Sequence, residues 1–589
     1  MGIRSWGPSF FILIAVGCAA PEAEQVVTGT TIPTMNSAEP DYCSSASMIS
    51  GAAVTISGGA TYQARQVFTS GGGGLGGAGS AMPIRYAEVK VINNTTGATV
   101  QCAETDSSGN YSFIVPQSST VYTVKISARA RNSHAKVDVF DDPRYNNYYS
   151  IQGTFTATGG VTLSTINAGV TGSVLGGAFN ILDQIVDANA YLTSTVGNCS
   201  GSLSGCANFS VSSTLPKLNV YWKLGFNPNE YYSSSSPLSF YLPGYSRLFI
   251  LGGSNGDVDS SDTDHFDNSV VLHEYGHFLE DAAFISDSPG GSHNGNKVID
   301  PRLAWSEGWG NFFQAAVRGD NHYIDTIGNS SGATELAFYV DIESQTTDVP
   351  IYAGEGNFRE FSVTRLLWDA IDNTPAESSS QDNIDSAFNQ VWHALTKTDG
   401  WLNTHAAFRS VGLLHAIQST FGTTSWAGIR TIEKHNGTTS DYAQYVATGS
   451  SCVSFTLTPA TIAGDTGSFA TSHLLKNNDF YHLPLNSSAA VTVRLDYQDA
   501  DGAGSEADVD LYVYKSSARF GVASDLAGYS QESPDTNPAT AQIESVSATL
   551  GAGDYLINVN VYTGGASVGG AFNYSLKLNG SQLCPTALP

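Results

Sequence analysis

His273-Glu274-Tyr275-Gly276-His277 is the stretch on which the reading of this chain turns. In an α-helix a separation of four residues turns about 400°, so both imidazoles leave one face and can share a metal ion. Glu274 lies about 100° round from His273 and flanks that metal, near enough to act on a water. The surrounding residues support a helix: Asp267 or Asn268 is a suitable N-cap, and Val271, Leu272, Tyr275, Phe278 and Leu279 recur at helical spacing. Upstream, Arg247-Leu248-Phe249-Ile250-Leu251 and then Gly252-Gly253 read as a short edge strand ending in a turn. An edge strand followed by a metal-bearing helix suits a cleft that pairs with an extended peptide.

A catalytic zinc takes three protein ligands and keeps one position open. The candidate for the third is Glu307, within Ala304-Trp305-Ser306-Glu307-Gly308-Trp309-Gly310-Asn311-Phe312-Phe313, which reads as a second helix. Gly308 and Gly310 let two helices approach closely around a metal. Asn311, one turn after Glu307, can hydrogen-bond a ligand histidine from behind. Glu280 and Ala283 stand where a metzincin needs a glycine and a third histidine. The Gly-x-Met-Glu-Asn segment of zinc aminopeptidases does not occur.

Together, His273-Glu274-Tyr275-Gly276-His277, Glu307-Gly308-Trp309 and Phe312 resemble the gluzincin peptidases, most of all the fungalysin group, with its HEYxH and EGWxDF motifs. The resemblance spans about fifty residues. It implies His273, His277 and Glu307 as Zn2+ ligands and Glu274 as the general base of peptide-bond hydrolysis. The family has an aspartate where this chain has Asn311, and an amide brings no charge to raise histidine basicity. His293, Tyr352 and Arg359 are donors by composition for a developing oxyanion, though a packing or surface role is expected of each. His393, His405 and His415 are expected to be structural, and Glu360 to Asp369 to form a core helix.

The chain opens with Arg4 and the apolar run Phe10 to Cys18, which reads as a signal peptide over residues 1–17. Ala15-Val16-Gly17-Cys18 resembles a bacterial lipobox, which would anchor the chain to a membrane through a lipidated Cys18 and make 18–45 a tether. The expected location is extracytoplasmic, as a bacterial outer-membrane lipoprotein or a secreted protein. Seven cysteines less Cys18 leave six, and chain order suggests Cys43–Cys102, Cys199–Cys206 and Cys452–Cys584. With 26 basic against 53 acidic residues and no basic patch, no nucleic acid partner is expected. The acidic runs Asp257 to Asp264 and Asp499 to Asp510 could bind Ca2+, although neither matches an EF-hand loop and a solvated turn is the plainer expectation for both.

At 589 residues several domains are expected. Residues 46–130 carry short alternating strands, and their TDxxGxYxF…P…YxVxI run resembles a carboxypeptidase regulatory-like β-sandwich, with a glycine-rich flexible loop from Ser70 to Ser80. Residues 131–448 pass from mixed elements to helices, as in an α+β zincin-like catalytic domain. Residues 452–585 alternate again, and DVDLYVY…GDYLINV…YSLKL resembles a bacterial pre-peptidase C-terminal β-sandwich. The expectation is a multidomain α+β peptidase flanked by two β-sandwiches, acting on a protein or peptide substrate, with oligomeric state unread. The alternative is a surface adhesion or scaffold protein with an inactive central domain.

Overall fold

The computed structural model describes residues 35–43, 49–68, 74–198, 206–231, 237–254, 261–291, 293, 295, 299–327, 337–343, 356–372, 387–406, 409–419, 444–447, 455–457, 477–499, 508–520, 522–532, 542–562 and 572–586. Residues 1–34, with the expected signal peptide and Cys18, lie outside them, as do Cys199, Tyr352 and Cys452.

Two N-terminal sheets face each other. One is built on the long strand Ala53–Phe68, paired with Gly74–Pro83, Asn110–Pro116, Val161–Thr162 and Ile166–Ala168; the other runs Thr99–Glu104, Glu88–Asn93, Val121–Ser127, Ser150–Thr156. Alternating side chains such as Tyr111, Phe113, Tyr122 and Phe155 fill the space between them. Pairing does not stop at residue 130, because Ser150–Thr156 closes on Val121–Ser127 and Ile166–Ala168 runs parallel to Ala60–Tyr62. The expected glycine loop is also corrected. Gly74–Pro83 is a strand, and a side chain at Gly76 would stand 2.1 Å from the Phe68 ring, so glycine lets that ring close over the backbone.

The segment expected to be tether is strapped down from Asn36 to Cys43. Fully buried Arg129 pairs with Asp138 and Glu88 and donates to the carbonyls of Pro40 and Asp41, and Cys43 is disulfide-bonded to Cys102. A buried guanidinium needs such a full set of acceptors. Cys206 is also disulfide-bonded.

A central five-stranded sheet follows, in the order Phe240–Leu242, Arg247–Phe249, Leu218–Tyr221, Lys136–Phe140, Arg129–Arg131. Around it lie α1 (Leu175–Thr195), the short α2 (Val211–Thr214), α3 (Asn268–Ala283), α4 (Pro301–Arg318), α5 (Glu360–Asp369), α6 (Phe388–Leu395) and α7 (Val411–Ser419). Arg247–Phe249 is therefore interior and not an edge: it pairs with the preceding Phe240–Leu242 in a hairpin and, in parallel, with the more distant Leu218–Tyr221 that its sequence could not announce. The edge nearest α3 is Phe240–Leu242. One apolar core runs from Ile56 in the N-terminal strands to Ile417 in α7.

The last strands form a six-stranded and a five-stranded sheet with their own core, and Gln444–Ala447 joins them by pairing with Asn478–Leu485 and Cys584–Thr586. Fully buried Arg302, at the start of α4, docks this sandwich. It is held by Asp300, donates to the carbonyls of Ser516 and Ala518, and stacks over Phe520 at 4.7 Å. The architecture is multidomain and rich in β-sheet. Among the described residues no helix is long and apolar enough to cross a membrane.

Candidate metal centre

α3 and α4 cross where both have glycine. A side chain at Gly276 would sit 3.2 Å from the Gly310 Cα, and one at Gly310 would sit 2.8 Å from His273 Cε1. Each glycine within a helix costs about 1 kcal/mol against alanine, which the close crossing offsets. Trp309 Nε1 donates to the Gly276 carbonyl at 3.1 Å and pins the crossing. α3 is not capped as its sequence suggested: the Asp267 carboxylate accepts from Thr326 N and Oγ1 instead, tying the helix start to the strand His322–Thr326. From behind, α1 supports α3 through Asn189, which accepts from the Tyr275 hydroxyl.

This crossing brings His273, His277 and Glu307 together, one donor atom of each within 4.8 Å of the others. The two Nε2 atoms are 3.1 Å apart, and Glu307 Oε2 is 3.3 Å from His273 Nε2 and 3.5 Å from His277 Nε2. Both Nδ1 atoms are engaged elsewhere. His273 Nδ1 donates to Asn311 Oδ1 at 2.9 Å, and His277 Nδ1 donates to Glu280 Oε2 at 3.0 Å. Each Nε2 thus faces the other and the buried carboxylate of Glu307. Such a convergence of two imidazole nitrogens and a carboxylate, with both Nδ1 atoms held from behind, fits a zinc ion.

Three residues behind the ligands were missed or undervalued in the sequence. Asn311 Nδ2 donates to Glu360 Oε1 at 2.7 Å, so a carboxylate stands one amide behind His273. Glu280, three residues after His277, was weighed only as a departure from another motif, yet that spacing puts it on the histidine's own face. His293, also buried, donates from Nδ1 to the Gly291 carbonyl and directs Nε2 to within 3.4 Å of Glu307 Oε2. Glu360 and His293 arrive by tertiary routes with no periodic signal. Burial opposes the charged form of Glu307, but His293, His277 and His273 outweigh it and hold its pKa below the ordinary range. Burial pushes the Glu360 pKa up, with His293 opposing and Glu307 adding to the rise.

Of the other candidates, Arg359 is buried just before α5, and His393 is buried in α6. His405 Nδ1 lies 3.3 Å from Asp554 of the C-terminal sandwich. None of the three joins the metal cluster among the described residues.

The cluster borders a cleft of about 220 Å³ lined by Glu274 and His277, by Phe240, Tyr241 and Pro243 from the sheet edge, and by Phe284 and Ile285 after α3. Tyr241 OH donates to Asp281 of α3 at 2.6 Å, which fixes the edge strand against the metal helix. The site therefore combines three metal donors, a carboxylate and a strand edge beside one opening.

A family model, the Mycolysin C-terminal domain, matches residues 202–413, the segment that holds α3 and α4. The match makes the chain peptidase-related. No curated protein matches. Among solved structures, a pre-peptidase C-terminal domain of collagenase from Bacillus anthracis is 16% identical over 23% of this chain and 96% of its own, with a TM-score of 0.14. A family 35 carbohydrate binding module from Clostridium thermocellum is 15% identical over 24% of this chain and 100% of its own, with a TM-score of 0.14. A DUF3823 family protein from Parabacteroides merdae is 12% identical over 20% of this chain and 45% of its own, with a TM-score of 0.11. These likenesses are too slight to bear on fold or function.

Proposed function

We propose that this chain is a zinc endopeptidase of the gluzincin kind that works outside the cytoplasm, with His273, His277 and Glu307 as ligands and Glu274 as general base. The observation that carries it is the convergence of His273, His277 and Glu307 beside a cleft that also holds the Glu274 carboxylate and a strand edge. Bound there, zinc would lower the pKa of water towards ~7 and polarise a carbonyl. Glu274, lining the cleft one residue after His273, takes a proton from water and delivers it to the leaving amine. The edge strand Phe240–Leu242 offers main-chain hydrogen bonds to an extended substrate, which favours a peptide over other hydrolysable groups. His293 Nε2 stands 3.4 Å from the same Glu307 oxygen that the histidine pair faces and helps to hold it in place.

The scaffold reading draws on the two flanking β-sandwiches and on Asn311; the Glu360 carboxyl group behind that amide weighs against the second ground. The apolar leader and the Cys43–Cys102 disulfide support an oxidising, extracytoplasmic setting, with Cys18 as a lipid anchor. The test is cleavage of an unfolded protein substrate by the parent and by Glu274→Gln, with zinc counted in both. Glu274→Gln is expected to keep one zinc per chain and lose about 10²–10⁴-fold in kcat. Undiminished activity in that variant would remove Glu274 from the mechanism, and a parent chain without zinc would favour the scaffold.

A further inference from the structure

A second group of acids lies at the start of α3, apart from the histidines. Asp262 and Asp264 come from the loop that enters the helix, and Asp325 from the strand His322–Thr326 packed on it. One oxygen of each lies within 4.8 Å of the other two. Oxygens around calcium sit at about 2.3–2.6 Å from the ion, so opposite ligands are up to about 5 Å apart and the spacing fits.

Acidic side chains gather on many surfaces without binding anything, but here Asp264 is buried, Asp262 and Asp325 are half-buried, and one oxygen of each is shut off from solvent. Asp264 is only 4% exposed. Its Oδ1, like Asp262 Oδ1 and Asp325 Oδ1, is sealed from solvent and has no hydrogen-bond partner. Its other oxygen accepts from Ser239. Among the described residues no lysine, arginine or histidine forms an ion pair with any of the three. Like charges placed so closely, with one oxygen of each shielded from water, call for a counter-charge of their own.

We propose that Asp262, Asp264 and Asp325 bind one calcium ion, which ties the loop before α3 to the strand His322–Thr326 and so fixes the start of the metal helix. The donors are all hard oxygens with no nitrogen or sulfur, which selects calcium over zinc. The neighbouring Asp267–Thr326 contact crosses the same junction, so the ion reinforces an attachment already present. The proposal depends on these oxygens alone and is independent of the histidine site.

The test uses full-length Glu274→Gln protein, so that neither cleavage nor self-digestion enters the readout. After dialysis, metal analysis is expected to find one calcium per chain, counted separately from zinc. Adding ~1 mM calcium to calcium-free protein raises the unfolding midpoint by about 5 °C. Asp264→Asn and Asp325→Asn each abolish the bound calcium and the shift and leave zinc unchanged. Because each removes a like charge, each also raises the calcium-free midpoint, which shows that the variants fold. No calcium response in the parent protein, the same response in the variants, or an equal response to magnesium overturns the proposal.

Discussion

At Asn311 the chain carries an amide where the fungalysin pattern has a carboxylate, and the Glu360 carboxyl group stands directly behind that amide. The amide passes polarity along: His273 donates to its oxygen, and its nitrogen donates to Glu360. Outer partners of this kind orient the imidazole and contribute about 10–100-fold to metal affinity. Glu360→Gln is therefore expected to weaken zinc binding by about that factor while the fold stays intact, measured by competition with a zinc chelator. Asn311→Asp, which installs the aspartate of the fungalysin pattern, is expected to weaken binding too, because it sets two buried carboxylates face to face. Combining it with Glu360→Gln relieves the repulsion and recovers affinity. Additive losses in the double variant would mean that the two residues do not act as a pair.

At the scale of elements, the crossing of α3 and α4 sets the geometry of the site. Gly310→Ala is expected to push the His273 ring from its position, lowering zinc affinity and destabilising the fold by about 1–3 kcal/mol. A midpoint and a zinc affinity both equal to the parent's would show that the crossing has slack. How much of this was legible in sequence depended on distance along the chain. His273, His277, Glu307 and the glycines lie within two helices and betray themselves by spacing. The N-cap did not, because Asp267 has a better partner in Thr326, which local sequence cannot anticipate. Gly74–Pro83 has the composition of a loop, yet Ala53–Phe68 supplies a ladder and Phe68 a cover. Sheet order was equally hidden: the apolar strand Arg247–Phe249 is covered on both sides, and the usable edge is Phe240–Leu242.

At the scale of the whole molecule, the C-terminal sandwich grips the beginning of the helix that carries Glu307. Arg302→Ala removes its two carbonyl contacts, its stacking on Phe520 and the partner of Asp300. It is expected to cost about 3 kcal/mol and to make the junction open to added protease. An unchanged cleavage pattern would show that the apolar contact of Phe358 with Phe480, Tyr514 and Phe520 suffices. The same junction responds to acid through His482, which bonds Asp554 at 2.8 Å, with His405 and Asp287 as its other charged neighbours. Burial lowers the His482 pKa, with the Asp554 hydrogen bond opposing. Below the unfolded value of about 6.5 the unfolded chain binds a proton that the folded chain resists, so this histidine's stability contribution is present above that pH and lost as pH falls. His482→Gln is expected to flatten the fall in midpoint between pH 7 and 5, and an unaltered slope would assign it to other groups.

The N-terminal sandwich has a consequence for how this protein can be divided or inherited. Tyr62 of its long strand donates to Asp183 of α1, Arg85 pairs with Asp183 and Asp187, and one core passes between the layers without a break. A recombinant fragment beginning at residue 131 would lack the partners of Ser150–Thr156 and Ile166–Ala168 and expose the face of α1 that they cover. Such a sandwich cannot be exchanged between proteins like a bead on a string. Substitutions on its inner face and on α1 must be accepted together, so the two halves are expected to vary in step across lineages.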